Sequence, residues 1–355
     1  MLALAMPKLV EKVAVSSAIK QGAGPGDVFH HFKAHGRHAN AFSVAFDPDL
    51  KRHTDAFGTL AYTHSNILGV TTVMFDPLCS HDNLPHLIDN FMRAMEQHAD
   101  QRYVFWKVGS DVADLLAERG YTMAPYGIEN RCPLPINLAG TRLRGLRREI
   151  AAARRLGLVV EPIEAEASWE GVRSVTKYWL STRPQPFMVR RVTRRTPHAH
   201  EEYCTKVVAR TPAGEIVGWA ALDHIYSYGK LVGCGLNAVR YDGQAARGVA
   251  ALLALEGALI VSEKAAGPFH LELGESPMPN PESLEGLGSL YCDSQFLEAI
   301  FRLVREHGHM IYGVEGLANW KRKWRAEQSV TYCAISSPNE LPLRETLAVV
   351  EAMFI

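Results

Sequence analysis

From Leu60 to Phe75 the chain reads LAYTHSNILGVTTVMF, with β-branched residues and alternation on either side of Ser65-Asn66. That pattern predicts two strands around a turn. From Asp82 to His98 the period changes, and Leu84, Leu87, Ile88, Phe91 and Met95 fall on one helical stripe. YVFWKV predicts a short strand. Ser110 to Arg119 predicts a short helix, capped by Ser110 and stopped by Gly120, with another strand after it. The order then returns. Glu215 to Val239 predicts a strand pair turning at Ser227 to Gly229. A helix follows over about Gly248 to Lys264, then the strand FHLELG, a helix from Ser294 to His307 and the strand VTYCAI. Strand, strand, helix, strand, twice over, predicts an α/β chain with two related mixed sheets flanked by helices.

Composition narrows the class. The 355 residues suffice for two domains or one large one. With 47% hydrophobic and 21% charged residues, the chain reads as soluble and globular. The formal net charge is zero, so attraction to nucleic acid has to come from a local patch. Six scattered cysteines without a CxxC pair argue against a zinc ribbon or a disulfide framework. They suit a reducing, cytoplasmic setting. No stretch approaches the ~20 apolar residues that span a bilayer. The longest apolar run, Val249 to Val261, contains Glu256 and Gly257.

Local patches do exist. TRLRGLRREIAAARRLG holds Arg142, Arg144, Arg147, Arg148, Arg154 and Arg155 against a single acid, Glu149. Leu143, Leu146 and Ile150 recur at helical spacing, so one face packs while the arginines fan outward. A second cluster, Arg190, Arg191, Arg194 and Arg195, lies near His198 and His200. Such runs are commonly solvated faces. Ten arginines without a lysine also suit bidentate phosphate contacts and stacking on bases. Near the end, YGVEGLANWKRKW places Lys321, Arg322 and Lys323 between Trp320 and Trp324. It reads either as a surface helix or as a site for an anion that carries a flat ring.

Around that stretch a resemblance takes shape. YGVEGLANWKRKW resembles an aromatic-x-x-x-GL-x-x-[FW]-K-x-K-[FW] motif, with Lys321 and Lys323 on its lysines. LNAVRYD resembles a DLMRY element at Arg240 and Tyr241, and FHLELGESPM resembles FNLGMAPL at Gly274 and Pro277. YGIENRCPL matches a GEEA segment at Glu129, and VMFDPL a GDP element at Asp76 and Pro77. WLSTRPQPF resembles an EWL-x-x-R stretch at Trp179, Leu180 and Arg183, and the arginine-rich join resembles a basic linker. These matches run in order along the chain, from about Tyr62 to Tyr332, and the set resembles the soluble catalytic domain of the lysylphosphatidylglycerol synthase family, the aminoacyl-tRNA-dependent aminoacyltransferases.

The resemblance implies two tandem acetyltransferase-like (GNAT) domains, over residues 1–141 and 162–355, joined by a basic helix at 142–161. It implies aminoacyl-tRNA as donor; no cofactor or metal is expected. Lys321 and Lys323 would hold terminal tRNA phosphates, with Trp320 or Trp324 stacked on a base. Arg144, Arg147, Arg148, Arg154 and Arg155 would follow the tRNA backbone. Arg240 would bind a phosphate or the acceptor, beside Tyr241 and Gly274. Glu275 would position the nucleophile or take its proton. Two departures redirect the expectation. The family's membrane-flippase region is absent from the chain, which points to a small-molecule or peptide acceptor. The motif aspartate is Asn237 here, so a carboxylate suited to a cationic amino acid is missing, which points away from lysine. The alternatives are a phosphatidylglycerol aminoacyltransferase, a coenzyme A-dependent N-acyltransferase and a non-catalytic RNA-binding protein.

Other features carry less. Glu256, inside an apolar helix, is expected to pair with an arginine across the join. QAARG at Gln244 to Gly248 lacks a full pyrophosphate-loop pattern, although Gly248 allows close approach. HHFKAHGRH gathers His30, His31, His35 and His38 without a carboxylate, a poor metal set. GAGPG at Gly22 to Gly26 lacks the GK[ST] of a P-loop.

Overall fold

A computed structural model describes residues 27–96, 102–163, 168–182, 200–243, 248–287, 291–307, 314–336 and 342–354. The second arginine cluster, GAGPG and most of QAARG lie outside them. The first half runs α1 (Val28–His35), α2 (Ala41–Phe46), β1 (Lys51–Thr54), β2 (Gly58–Ser65), β3 (Val70–Cys79), α3 (Leu84–Met95), β4 (Arg102–Val108), α4 (Ser110–Glu118) and β5 (Thr122–Leu134). Helix α5 (Arg144–Arg155) leads to β6 (Val159–Pro162), α6 (Ser168–Ser181), β7 (Cys204–Arg210), β8 (Ile216–Ser227) and β9 (Lys230–Tyr241). Then come α7 (Val249–Ser262), β10 (Phe269–Pro277), α8 (Pro281–Leu284), α9 (Gln295–His307), α10 (Val314–Arg322), β11 (Glu327–Ile335) and α11 (Leu343–Phe354).

The expected repeat is present: β2-β3-α3-β4-α4-β5 is followed by β8-β9-α7-β10-α9-β11. The two expected sheets, however, run together as one eleven-stranded sheet, ordered β1-β2-β3-β4-β11-β5-β10-β9-β8-β7-β6. The cause is an exchange of last strands. β11, from the second half, lies between β4 and β5, and β5, from the first half, lies against β10. Each half has one parallel pair, β3 with β4 and β9 with β10, and a helix makes each crossover.

Alternation distributes the core over both faces. Val104 and Trp106 of β4 join α1, α2 and α11, while Tyr103, Phe105 and Val108 join α3 and α4. In β8, Val217, Ala220 and Leu222 pack on α5 and α7, and Trp219 and Ala221 on α6. Leu146, Ile150 and Ala153 are the buried seam of α5, as its spacing requires. Gly248, at φ 92°, opens α7 so close to α5 that a Cβ would stand 2.1 Å from the Glu149 carbonyl oxygen. The backbone N–H groups of Tyr226, Tyr228 and Gly229 donate to the carbonyls of Gly36, Ala34 and Lys33 at 3.0, 2.9 and 2.9 Å. These bonds satisfy the C-terminal end of α1 and tie the segment that follows it to the second half.

Candidate active site

β9 and β10 pair over Gly233–Gly235 and His270–Glu272. Beyond that, β9 stays with β8 and β10 with β5, so the sheet opens between them. Gly274 stands at this opening at φ 74°, in a bulge between Glu272 and Glu275. On the other lip, the β8–β9 register slips between Ala221 and Leu222 and leaves Asn237 as the extra residue. Bulges of this kind re-aim side chains beside active sites. Arg240, on the same lip, is buried, with its guanidinium 3.9 Å over the Trp179 ring.

A charged cluster fills the base of the opening. Glu275 lies directly opposite Glu129 on β5, and Gly127 makes room for it: a Cβ there would sit 2.3 Å from Glu275 Cδ. Thr331 donates a hydrogen bond to the Glu275 carboxylate. Lys321 Nζ donates to the Glu275 carbonyl at 2.5 Å. Lys107 Nζ lies 3.9 Å from Glu129 and 3.8 Å from Glu275, and donates to Asn40 Oδ1 at 3.2 Å. Simple alternation would send Lys107 to the α3 face. The β4–β11 register slips between Trp106 and Val108, and Lys107 takes φ 62°, which turns it toward Phe75 and Asn40 instead.

Burial sets the charge states. It pushes Glu129 up to about 8, with Lys107 opposing the rise. It pushes Lys321 down to about 7, and Lys107 adds to the fall. Asp76, half-buried and accepting from Gly109 N at 2.7 Å, is raised to about 6 by desolvation. Burial would raise Glu272, but His270 and Arg131 hold it below its ordinary value; Arg131 Nη2 is 2.6 Å away. Burial also lowers His38 to about 4, near Glu272 and Lys107. The cluster therefore offers an acid that stays protonated near neutrality and an amine that is partly neutral there, which is the equipment of proton transfer.

The predicted residues divide. Glu275, Gly274 and Lys321 meet at the base of the opening, and Asn237 and Arg240 lie along its other strand. Tyr241 packs half-buried against the α7 core. Lys321 is not the exposed cation that its stretch suggests, being 3% exposed. Trp324 is buried too, edge-on to Trp320 at 5.6 Å, and both pack on the α5–α7 core. Stacking of Trp324 on a base is thereby corrected. The reason is that α10 docks on β10, so its apolar face and Lys321 turn inward while Arg322 and Lys323 stay out. Lys323 pairs with Glu149 at 2.5 Å. In α5, Arg147 donates to the carbonyls of Leu138 and Gly140 at 2.7 and 2.6 Å, and Arg154 pairs with Glu256, as expected of that acid. Arg144, Arg148 and Arg155 remain exposed. Their spacing puts them on one helix face.

Sequence reasoning missed Lys107, Asn40, Thr331 and His38 as members of the cluster. For Lys107 a signal existed, since a lone lysine inside YVFWKV is costly to bury without partners.

A sequence profile for the C-terminal region of phosphatidylglycerol lysyltransferase matches residues 32–335. The chain belongs to this family. Its members are aminoacyltransferases, and the chain is an enzyme of that kind. No curated protein matches it significantly. Among solved structures, L-PGS from Bacillus licheniformis aligns with TM-score 0.71 at 19% identity, covering 93% of this chain and 97% of that one. The C-terminal domain of a proposed lysylphosphatidylglycerol synthetase from Agrobacterium fabrum gives 0.66 at 19%, covering 91% and 94%. A conserved protein of unknown function from Bacteroides thetaiotaomicron gives 0.55 at 13%, covering 86% and 93%. These likenesses show the fold that the chain shares with the family. Among the described residues no helix is long and apolar enough to cross a membrane.

Proposed function

We propose that the chain transfers an aminoacyl group from aminoacyl-tRNA to a hydroxyl- or amine-bearing small molecule or peptide, on the cytoplasmic side where charged tRNA is found. The observation that carries this reading is the meeting of Glu275, Glu129, Lys107 and Lys321 at the foot of the β9–β10 opening. An aminoacyl ester is already activated, so no enzyme nucleophile is needed. The protein has to align two substrates, stabilise charge on the carbonyl and move a proton. Glu275 and its neighbours serve the proton. Arg240, held flat by Trp179, serves an anionic group, and Asn237 offers an amide where the family motif has a carboxylate. The exposed Arg144, Arg148 and Arg155 serve the tRNA backbone. Balanced net charge, with 38 basic and 38 acidic residues, gives no general pull toward an anionic bilayer.

A second reading, with phosphatidylglycerol as acceptor, is favoured by the family and by Leu343, Leu347 and Val350, which form an exposed apolar face on α11. Incubation with labelled aminoacyl-tRNAs and cell extract, with and without ribonuclease, tests the donor. Ribonuclease-sensitive label in a water-soluble product supports the proposal. Label in the lipid of phosphatidylglycerol vesicles moves the assignment to the second reading, and ribonuclease-resistant transfer from coenzyme A thioesters overturns both.

A further inference from the structure

Glu129 and Glu275 face each other across adjacent strands, a placement in which like charges repel. Lys107 stands between them at 3.9 and 3.8 Å. It comes from the first half of the chain, whereas Glu275 comes from the second. Lys107 reaches them through a left-handed backbone, at φ 62°, which strains a non-glycine residue. Among the described residues, its ammonium has one hydrogen-bond acceptor, Asn40 Oδ1, besides the two acids. A strained backbone that delivers one buried cation to two opposed acids is explained by charge rather than by packing.

We propose that Lys107 is a positioning residue of the transfer reaction, holding Glu129 and Glu275 as a pair that shares one proton. The proposal rests on the aminoacyltransferase reading of the site. Glu275 accepts the proton of the acceptor hydroxyl or amine as that atom bonds to the acyl carbon. Glu129 gives its proton to the ribose oxygen of the tRNA as the acyl C–O bond breaks. The pair starts and ends with one proton, and passage of that proton from Glu275 to Glu129 resets it. The other charged groups facing the pair are Lys321 from α10, Asp76 from β3, and Glu272 from β10. Arg131 of β5 and His270 face Glu272 in turn, and His38 lies near both Glu272 and Lys107.

Two measurements separate this proposal from the function itself. Glu129 is raised from its ordinary 4.5 to about 8, so its stabilising contribution is whole below about 4.5 and is lost as pH rises toward 8. Lys107 opposes the rise, so its removal extends the loss to higher pH. Thermal unfolding of the full chain from about pH 5 to 9 then distinguishes the variants. Lys107→Met steepens the alkaline fall in Tm, Glu129→Gln flattens it in both backgrounds, and Lys107→Arg restores it. An equal Tm loss at every pH in Lys107→Met overturns the proposal. In transfer assays, Lys107→Met lowers kcat about ten-fold or more and moves the pH profile alkaline, with KM little changed. An unshifted profile also overturns it. Absence of any transfer by the wild type refutes the functional reading, while the unfolding series still decides whether the proton is shared.

Discussion

The two halves open their sheets in the same place and use the opening differently. In the first, β3 and β4 pair from Val70 with Arg102 to Met74 with Trp106, then part. Phe75 and Lys107 both turn left-handed there, and the Asp76 carboxylate takes the Gly109 N–H across the gap at 2.7 Å, which seals it. In the second, the pairing ends at Gly235 with Glu272, and the residue that turns is a glycine. No side chain projects from Gly274, and the space beside it receives Lys321 from one side, with Asn237 and Arg240 along the facing strand. Duplication supplies two equivalent gaps. One is closed and exports its lysine, and the other stays open and receives it.

Filling the second gap has the largest expected effect. A Cβ at Gly274 would stand 3.7 Å from Lys321 Nζ and 3.8 Å from the Leu236 carbonyl oxygen, so Val fits only by occupying the opening. At φ 74° it also costs roughly 1–3 kcal/mol. Gly274→Val is expected to lower kcat/KM for transfer about a hundred-fold or more while Tm falls only a few degrees. The matching change in the sealed gap, Gly109→Ala, places its Cβ 3.0 Å from Asp76 Oδ2 and is expected to cost stability but not transfer. Loss of transfer in both variants would erase the distinction between the gaps.

That distinction was only partly legible in the sequence. The repeat, the α5 seam of Leu146 and Ile150, the Arg154–Glu256 pair and the Gly274–Glu275 corner follow from periodicity, burial cost and motif. The exchange of β5 and β11 does not, because local patterns say nothing about which distant strand is a neighbour. Lys107 was hidden for a sharper reason. Its burial cost marks it as a residue in need of partners, but alternation assigns it to the wrong face, and its left-handed turn leaves no mark such as a glycine would. Lys321 and Trp324 misled because a cation between indoles suggests exposure, whereas docking of α10 turns inward the positions one helical turn apart, Lys321 and Trp324, and leaves Arg322 and Lys323 outside.

The seal itself titrates. Asp76 is raised from its ordinary 3.8 to about 6, so its contribution to stability is whole at low pH and is lost as pH rises through about 6. Asp76→Asn keeps an acceptor for Gly109 N and removes the desolvated charge. It is expected to match wild type near pH 4 and exceed it by roughly 1–3 kcal/mol near pH 7, measured by chemical denaturation at each pH. Transfer should change by no more than a few-fold, since the gap stays closed. A variant less stable than wild type near pH 7 would show that Asp76 is needed as an anion.

At the join between the halves, the arginines separate into structural and free ones. Arg144→Gln with Arg148→Gln is expected to flatten the logarithmic salt dependence of tRNA binding by about 1.4–1.8. Arg147→Met leaves the Leu138 and Gly140 carbonyls without this donor and is expected to cost about 1–2 kcal/mol of stability with the slope unchanged. Filter binding across a salt series, beside Tm for each variant, checks both. The opposite assignment would mean that the exposed stripe is an ordinary solvated face.

The smallest effect is expected two residues from a large one. Lys321 is enclosed at the open gap, with its ammonium on the Glu275 carbonyl. Lys323 lies outside, 42% exposed, against Glu149. An exposed pair of this kind contributes about 0–1 kcal/mol, because solvent and salt screen it and ordering two side chains costs entropy. Lys323→Ala is therefore expected to lower stability by under about 1 kcal/mol at low salt, and by less in high salt. Transfer should be unchanged at saturating tRNA, whereas Lys321→Met should abolish it. Thermal unfolding at two salt concentrations, with kcat measured on the same preparations, gives the contrast. If Lys323→Ala instead raised KM for tRNA several-fold at unchanged Tm, the residue would belong to the donor site and the open gap would extend to the outer face of α10.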